Sequence, residues 1–300
     1  MPDEGDSVLI EKSARNVLEE ACAKAGVNAS GSELVRLGSN AVFRVPGNVI
    51  VRIGRDVDVS DAAGLQVAVA RWLAGERYPA NRALDIAQPV SAAGHVVTFW
   101  ESAADDERYA PIRDVARLLR DLHALDVPAS LNLPQKRPFA ELAERTAALD
   151  RVDPDIGCFL RERAAELEWD YRSLDFVLPR GLIHGDANVG NVILDRGDRP
   201  VLIDLDSVGV GQREWDLVHT ALFCDRFCWH IAEEYRAFAD VYGFDILQWP
   251  GYPVLADYRE LSMTAWLCGK AAGDPAAAAE ARKRIAALEN GGSRRDWMPY

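Results

Sequence analysis

Several common features are missing from this chain of 300 residues, and each absence excludes a class of protein. No apolar stretch reaches the roughly 18 residues that a membrane-spanning helix needs, so no span is predicted. Cysteine occurs only five times, an odd number at spacings that do not suggest a disulfide framework. The N-terminus is acidic and carries no apolar signal core, so we expect a cytoplasmic protein.

Basic residues are also fewer than acidic residues. Lysine and arginine total 34 against 47 acidic residues, which leaves a formal net charge of −13. The one basic pair in the tail, Arg294-Arg295, does not make a basic stripe. An acidic surface repels nucleic-acid phosphates and anionic membranes, so neither is an expected partner. A cationic small molecule would be attracted, although the same charge also serves solubility alone.

Two cysteines, Cys224 and Cys228, are spaced by one helical turn, and His219 and His230 lie close to them in the sequence. Zinc binding and plain buried thiols are both possible interpretations of this spacing. The lack of a CxxC pair or of a second cluster favours thiols.

Hydrophobic periodicity divides the chain into two parts. Helical patterns at residues 8–26 and 61–74 accompany short β-like runs, which predict a small antiparallel sheet. The small and acidic stretch 101–107 then precedes a mostly helical remainder, whose last helix is capped by Asp274 and Gly291. We therefore predict an α+β chain with an N-terminal lobe at 1–101, a C-terminal lobe at 102–300 and a loosely held tail. The predicted strands of the first lobe are 33–37, 41–45, 49–53, and a hairpin within 89–100.

The segment from Gly181 to Asp206 contains the candidate catalytic and metal-binding residues. An apolar strand leads into His184-Gly-Asp186, Asn191 follows five residues after the aspartate, and Asp204 ends a later strand. Phosphoryl transfer depends on positioning and charge stabilisation, and a carboxylate can orient an acceptor hydroxyl. Divalent metals prefer oxygen ligands, and a hairpin would bring Asn191 and Asp204 together. These residues predict a kinase-type site.

The pattern His-Gly-Asp-x4-Asn followed by Ile-Asp resembles the aminoglycoside phosphotransferase and choline-kinase-like families. These are distant relatives of protein kinases, whose catalytic loop reads His-Arg-Asp-x4-Asn. The resemblance covers nearly the whole chain and implies a bilobal, protein-kinase-like fold that transfers the γ-phosphoryl of ATP or GTP to a hydroxyl. Further segments that resemble the superfamily, in the same order, are 38–45, 70–74, 122–125 and 214–217.

The resemblance also implies a role for each matching residue. Asp186 would be the catalytic aspartate, and Asn191 and Asp204 would hold Mg²⁺. His184 would brace the catalytic loop, and Asp216 would tether it through hydrogen bonds. The role of Asp206 stays open between a second metal contact and a turn acceptor.

The nucleotide side of the site is predicted in the first lobe. Gly38-Ser39-Asn40 lies where a kinase places its phosphate-covering turn, so Ser39 and Asn40 are candidate phosphate contacts. Arg52, on a following strand, is the candidate phosphate clamp.

Family members often pair the strand cation with a glutamate on the inserted helix. Here the aligned position is Gln66, a neutral amide. Either Arg52 is thereby freed to bind phosphate, or the site is weakened. Glu76 and Asp61 are alternative partners if the alignment is displaced by one helical turn.

The segment Thr98-Phe-Trp-Glu101 is the predicted hinge that carries adenine. Its backbone would bind the base edge while Phe99 and Trp100 sandwich the ring. Alternatively, these aromatic residues are only core packing at the end of a strand. His123 is expected to be a packing residue in its helix.

Three functions compete. The first is an antibiotic kinase of the aminoglycoside type, whose helical lobe presents acids to a cationic or sugar-like acceptor. The second is a metabolic kinase for an amino sugar, a choline-like alcohol or a homoserine-like acid, and the third is a non-catalytic nucleotide-binding module. Either enzyme would act as a monomer or homodimer. The acids considered are Asp225, Glu233, Glu234, Asp240 and Asp257.

Overall fold

The computed structural model describes residues 11–38, 40–54 and 60–300. The chain divides into two compact units. The first unit extends to Ala110 and includes Val127–Leu133 and Gly190–Val208, and the second contains the remaining residues. No helix in the described part is long and apolar enough to cross a membrane.

The first unit is built on an antiparallel sheet with the strand order β1-β2-β3-β5-β4. Its three-strand meander has the bounds expected from the sequence, and α2 is inserted between β3 and β4. The elements of this unit are α1 (Glu11–Ala25), β1 (Glu33–Leu37), β2 (Ala41–Val45), β3 (Val49–Ile53), α2 (Ser60–Gly75), β4 (Val90–Ala92) and β5 (His95–Glu101).

The two faces of this sheet have different surroundings. Phe43, Val51 and Phe99 lie on one face and are fully buried in a core shared with α1. Side chains alternate along a strand, so Arg52 and its cross-strand neighbour Thr98 lie on the opposite face, as does Trp100. The alternation therefore separates a packing face from a face that carries a charged side chain.

The second unit is mostly helical. The two-stranded sheet of β6 and β9 precedes α6 and supports the loop that contains Asp186. The elements of this unit are α3 (Ile112–His123), α4 (Pro138–Ala148), α5 (Pro154–Arg172), β6 (Gly181–Ile183), β9 (Gly209–Gly211), α6 (Glu214–Asp225), α7 (Ala232–Tyr242), α8 (Tyr252–Lys270) and α9 (Pro275–Asn290).

A second hairpin, of β7 (Val192–Leu194) and β8 (Pro200–Leu202), belongs to the first unit. The amide of Asn81 donates to Leu202 at 2.9 Å, and the amide of Ala110 donates to Val192 at 2.9 Å. The first compact unit therefore combines residues up to Ala110 with segments from later in the chain, among them this hairpin.

The C-terminal tail is held more firmly than predicted. Trp297 is buried, and the guanidinium groups of Arg284 and Arg294 lie over its ring at 4.9 and 5.6 Å. The indole of Trp229 donates to the Trp297 carbonyl at 2.8 Å. The expectation of a loose tail is wrong, because a large aromatic side chain anchors the segment.

Candidate active site

The loop that follows β6 carries Asp186 and is held in place by hydrogen bonds to Asp216. The two oxygens of Asp216 accept hydrogen bonds from the amides of His184 and Gly185, at 2.6 and 2.7 Å. Gly185 has a φ of +86°, a conformation that other residues rarely adopt. This conformation turns both amides toward one carboxylate, which is the tethering geometry expected of Asp216.

Asp216 is itself fully buried in the first turn of α6 and needs a compensating partner. Nε2 of His123 supplies one at 2.9 Å, and Nδ1 of the same ring lies 2.8 Å from the Tyr242 hydroxyl. Burial acts to raise the pKa of Asp216, but the hydrogen bond with His123 and further contacts outweigh it and lower the pKa. His123 therefore has a polar structural role, beyond the packing that the sequence predicts.

Arg259 of α8 supports the same loop. Its Nη2 donates to the Gly185 carbonyl at 2.9 Å, and its guanidinium lies 4.0 Å from the centre of the Trp215 ring. The indole of Trp215 also donates to the Gly185 carbonyl, at 3.1 Å. The amide and the carbonyl of Gly185 are thus both hydrogen-bonded to buried side chains, which keeps the backbone at Asp186 rigid.

His219, which the sequence suggests only as a neighbour of the candidate zinc cysteines, lies beside Asp186. Its Nε2 is 3.8 Å from Oδ1 of Asp186, and its Nδ1 is 3.2 Å from the carbonyl oxygen of Ala187. Burial, and after it the nearby charge of Arg259, lowers the pKa of His219 to about 4. The imidazole is therefore neutral at physiological pH. Neither His219 nor Arg259 belongs to a recognisable motif, so no local pattern in the sequence marks them as site residues.

Asn191 and Asp204 lie at the ends of the β7–β8 hairpin in the first unit. The amide of Ile203 donates to the Asn191 carbonyl at 2.9 Å, so the two segments meet although they are distant in sequence. Asp204 has a φ of +59°, which is costly for a residue with a side chain. Strained backbone of this kind clusters at functional sites. An amide oxygen and a carboxylate are ligands that fit Mg²⁺.

Arg52 pairs with two acids of the same unit, neither of which the sequence suggests as its partner. Both terminal nitrogens of Arg52 bind Asp206, one of them at 2.6 Å, and one also reaches Asp204 at 3.3 Å. Burial acts to lower the pKa of Arg52, but the two carboxylates outweigh it and raise the pKa. Arg52 therefore stays a cation, and Asp206 is its bidentate partner in this structure.

Other predicted nucleotide contacts have different outcomes. Ser39 lies outside the described residues, and the carbonyl of its neighbour Asn40 accepts from the amide of Gly38 at 3.0 Å. The Phe99 ring is fully buried in the core shared with α1, which favours the core-packing interpretation of this residue. Trp100 lies on the Arg52 face, but it is only 5% exposed and its indole donates to Thr98 at 2.9 Å.

The backbone of the predicted hinge is also occupied. The Phe99 amide donates to the side chain of Gln88 at 2.8 Å, and the Glu101 amide donates to the Arg82 carbonyl at 2.8 Å. These residues belong to β5, a strand within the sheet. Strand pairing and Gln88 therefore use much of the hydrogen-bonding capacity of residues 98–101, and adenine binding by this segment stays a prediction.

Most of the acids considered for acceptor binding already have partners. Asp257 pairs with Arg226 at 2.6 Å, and Asp225 accepts from the Tyr252 hydroxyl at 3.0 Å. Glu233 pairs with Arg236 at 2.5 Å, and Glu234 accepts from the amide of Ile231 at 3.2 Å. The two ion pairs reduce the negative charge available to a cationic acceptor.

The described residues contain no group of three or more histidine, cysteine, aspartate and glutamate side chains arranged to hold a metal. The zinc interpretation of Cys224 and Cys228 therefore has no support in residues 11–38, 40–54 and 60–300. Cys228 is exposed, so the alternative of a buried thiol is wrong at that position.

Comparison with known proteins places these residues in a family. A model of the phosphotransferase enzyme family matches residues 33–258. The aminoglycoside 3'-phosphotransferase of Escherichia coli is 25% identical over 238 residues, covering 75% of this chain and 83% of that protein. Amicoumacin kinase hAmiN, solved with AMP-PNP, Ca²⁺ and Ami, has a TM-score of 0.72 at 15% identity over 96% of this chain and 98% of that chain.

Spectinomycin phosphotransferase APH(9)-Ia, solved with ADP and spectinomycin, has a TM-score of 0.59 at 13% identity, covering 87% of this chain and 85% of that chain. Structural similarity at such low identity establishes the fold, so the predicted α+β, bilobal, protein-kinase-like class is confirmed. The family match spans most of the sequence and includes every residue of the loop around Asp186. The chain therefore belongs to the phosphotransferase enzyme family and is a small-molecule kinase.

Proposed function

We propose that this kinase transfers the γ-phosphoryl group of ATP or GTP to a hydroxyl of an antibiotic, with aminoglycosides as the first acceptors to test. The observation that carries the proposal is Asp186, held in a loop whose preceding amides are fixed by the buried carboxylate of Asp216. Relatives that act on aminoglycosides, spectinomycin and amicoumacin support the acceptor class.

Asp186 is the proposed catalytic residue. Its carboxylate accepts a hydrogen bond from the acceptor hydroxyl, orients the oxygen for attack on the γ-phosphorus and takes up the proton as the new P–O bond forms. The bond between the γ-phosphorus and its bridging oxygen breaks, and the nucleoside diphosphate leaves. The tether to Asp216 keeps this carboxylate in place through the reaction.

The nucleotide phosphates are the proposed ligands of the first unit. Asn191 and Asp204 would hold Mg²⁺, which when bound neutralises charge on the phosphate oxygens. Arg52 is a second cation, kept beside Asp204 by its bidentate contact with Asp206. A guanidinium in that position suits phosphate recognition.

The test is the Asp186→Asn variant, with Asp170→Asn on an exposed face of α5 as the matched control. The amide that replaces the Asp186 carboxylate cannot accept the proton, so we expect phosphorylation of kanamycin, gentamicin, streptomycin and spectinomycin to fall by at least about 100-fold. ATP affinity, measured by titration calorimetry, should stay within about threefold because Asp186 acts on the acceptor. Unchanged turnover in Asp186→Asn would refute the role.

A metabolic kinase is the second candidate function. The paired state of Asp225, Glu233 and Asp257 favours it, because a polycationic acceptor would have to compete with internal partners. An acceptor panel that adds glucosamine, choline and homoserine separates the two candidates. The larger kcat/KM identifies the acceptor class, since both candidates use Asp186.

A further inference from the structure

His219 lies beside Asp186 and has no role in the chemistry assigned so far. The carbonyl oxygen of Ala187 can only accept a hydrogen bond, so Nδ1 of His219 carries the proton at the 3.2 Å contact. In the neutral ring, Nε2 then presents a lone pair. That lone pair lies 3.8 Å from Oδ1 of Asp186, so two hydrogen-bond acceptors stand side by side.

The ring of His219 and the backbone before Asp186 are both held in place by buried contacts. His219 is only 4% exposed in α6, and its ring lies 5.7 Å from the ring of Phe223. Asp186 follows the Gly185 peptide, whose carbonyl accepts from Arg259 and Trp215. The charged groups that act on His219 are Arg259, which disfavours a second proton, and Asp186 and Asp216, which favour one.

In the proposed function the reacting hydroxyl donates to Asp186, and Nε2 of His219 offers a second acceptor 3.8 Å from Oδ1 of that carboxylate. A single hydroxyl has one proton and can satisfy only one acceptor fully. Hydroxyl or amino groups on adjacent carbon atoms carry two donors at a spacing comparable to the separation of Nε2 and Oδ1. One donor can therefore bind Asp186 while its neighbour binds His219.

We propose that His219 is an acceptor-binding residue that selects vicinal diols and vicinal amino alcohols. The hydroxyl that becomes phosphorylated donates to Asp186, and the hydroxyl or amino group on the adjacent carbon donates to Nε2 of His219. This inference rests on the proposed function of Asp186. It adds a specificity determinant that the sequence motif does not contain.

The test combines a variant with a modified acceptor. The probe is whichever of kanamycin, gentamicin, streptomycin and spectinomycin the wild type phosphorylates fastest, together with its deoxy analogue lacking the donor adjacent to the phosphorylated position. Wild-type enzyme should lose about 10- to 100-fold in kcat/KM on the analogue, because Nε2 is left unsatisfied. His219→Phe should discriminate between the two by less than about threefold, since the selecting atom is gone.

His219→Gln serves as the rescue variant, because its side-chain carbonyl can reach toward the position of Nε2. It should recover part of the discrimination between the two acceptors. Thermal unfolding and ATP titration of both variants separate folding defects from specificity. A merely structural role for His219 would lower kcat/KM equally for both acceptors in His219→Phe and leave the ratio at its wild-type value.

The outcomes also separate the two proposals. Wild-type turnover with equal kcat/KM for probe and analogue overturns the role of His219 and leaves that of Asp186 intact. Discrimination that persists in His219→Phe overturns it as well. Absence of turnover with every antibiotic overturns the proposed acceptor class and, with it, this inference.

Discussion

At the scale of single residues, the Asp216 carboxylate joins the loop before Asp186 to His123 through three hydrogen bonds. Replacing it by asparagine keeps the shape but removes the charge that accepts from His184, Gly185 and His123. Breaking a buried charged network of this kind costs several kcal/mol, so we expect Asp216→Asn to lose about 3 kcal/mol of unfolding free energy. Urea denaturation at pH 7 measures this loss.

The control for Asp216→Asn is Asp121→Asn, which lies exposed on α3. It should change stability by less than about 0.5 kcal/mol. Because the folded pKa of Asp216 is lowered, its contribution is present at neutral pH and is lost as pH falls through that lowered pKa. Equal stability of the two variants at pH 7 would contradict the tethering role.

His219, like Asp216, makes the folded state less stable as pH falls. A free histidine titrates near about 6.5, whereas burial, with Arg259, lowers the pKa of His219 to about 4. Between these values the unfolded chain binds a proton that the folded chain does not, so His219 destabilises the folded state as pH falls. His219→Phe should therefore gain about 2 kcal/mol relative to wild type between pH 7.5 and pH 5. Urea denaturation at both pH values tests this, and a pH-independent difference would contradict it.

The residues of the site differ in how easily they can be predicted from the sequence. Asp186, Asn191, Asp204 and Asp216 occur in short patterns, so their proximity to a loop or hairpin could be expected. His219 and Arg259 reach the same loop from helices α6 and α8, and no local pattern marks such a long-range contact. The sequence leaves the role of Phe99 open between adenine contact and core packing, because strand parity, which turns it toward α1, depends on the register with β3.

At the scale of elements, the loop after β6 depends on one backbone conformation. Gly185 has a φ of +86°, and a side chain there costs about 1–2 kcal/mol. We expect Gly185→Ala to lose that stability and, in addition, to lower kcat at least about tenfold, because the amides that Asp216 binds would turn away. Steady-state kinetics and thermal unfolding measure the two effects.

Gly243 provides a matched control for Gly185. It ends α7 with a φ of +91° and has open space where a side chain would begin. Gly243→Ala should therefore lose similar stability while retaining kcat within about twofold. If both variants lost the same share of activity, backbone strain alone would explain the effect of Gly185→Ala. The catalytic loop would then have no special dependence on the conformation of Gly185.

Elements were easier to predict than their partners. Alternating apolar residues located β1, β2 and β3, and Asp274 with Gly291 marked the ends of α9, where Asp274 accepts from the amides of Ala276 and Ala277. These signals are local. The assignment of the β7–β8 hairpin to the first unit depends on backbone bonds to residues such as Asn81, which lie more than a hundred positions away and leave no local trace.

At the scale of the whole molecule, the net charge of −13 acts on every charged ligand. A cationic acceptor is attracted at long range and an anionic nucleotide is repelled, and both effects weaken as the Debye length shrinks from about 10 Å at 0.1 M salt to roughly half that at 0.5 M. The sign of the response to salt should therefore differ between the two substrates of the same reaction.

We expect the KM for kanamycin to rise by about threefold or more between 0.05 and 0.5 M NaCl, while the KM for ATP stays constant or falls. The kcat should change little, because screening acts on encounter and not on the loop held by Asp216. Measuring both KM values in one assay makes each substrate the control for the other, since general inhibition by salt would raise both. A kanamycin KM that does not respond to salt would mean that the paired acids of the second unit leave no effective field for a cation, and the uncharged acceptors of a metabolic kinase would then fit the enzyme better.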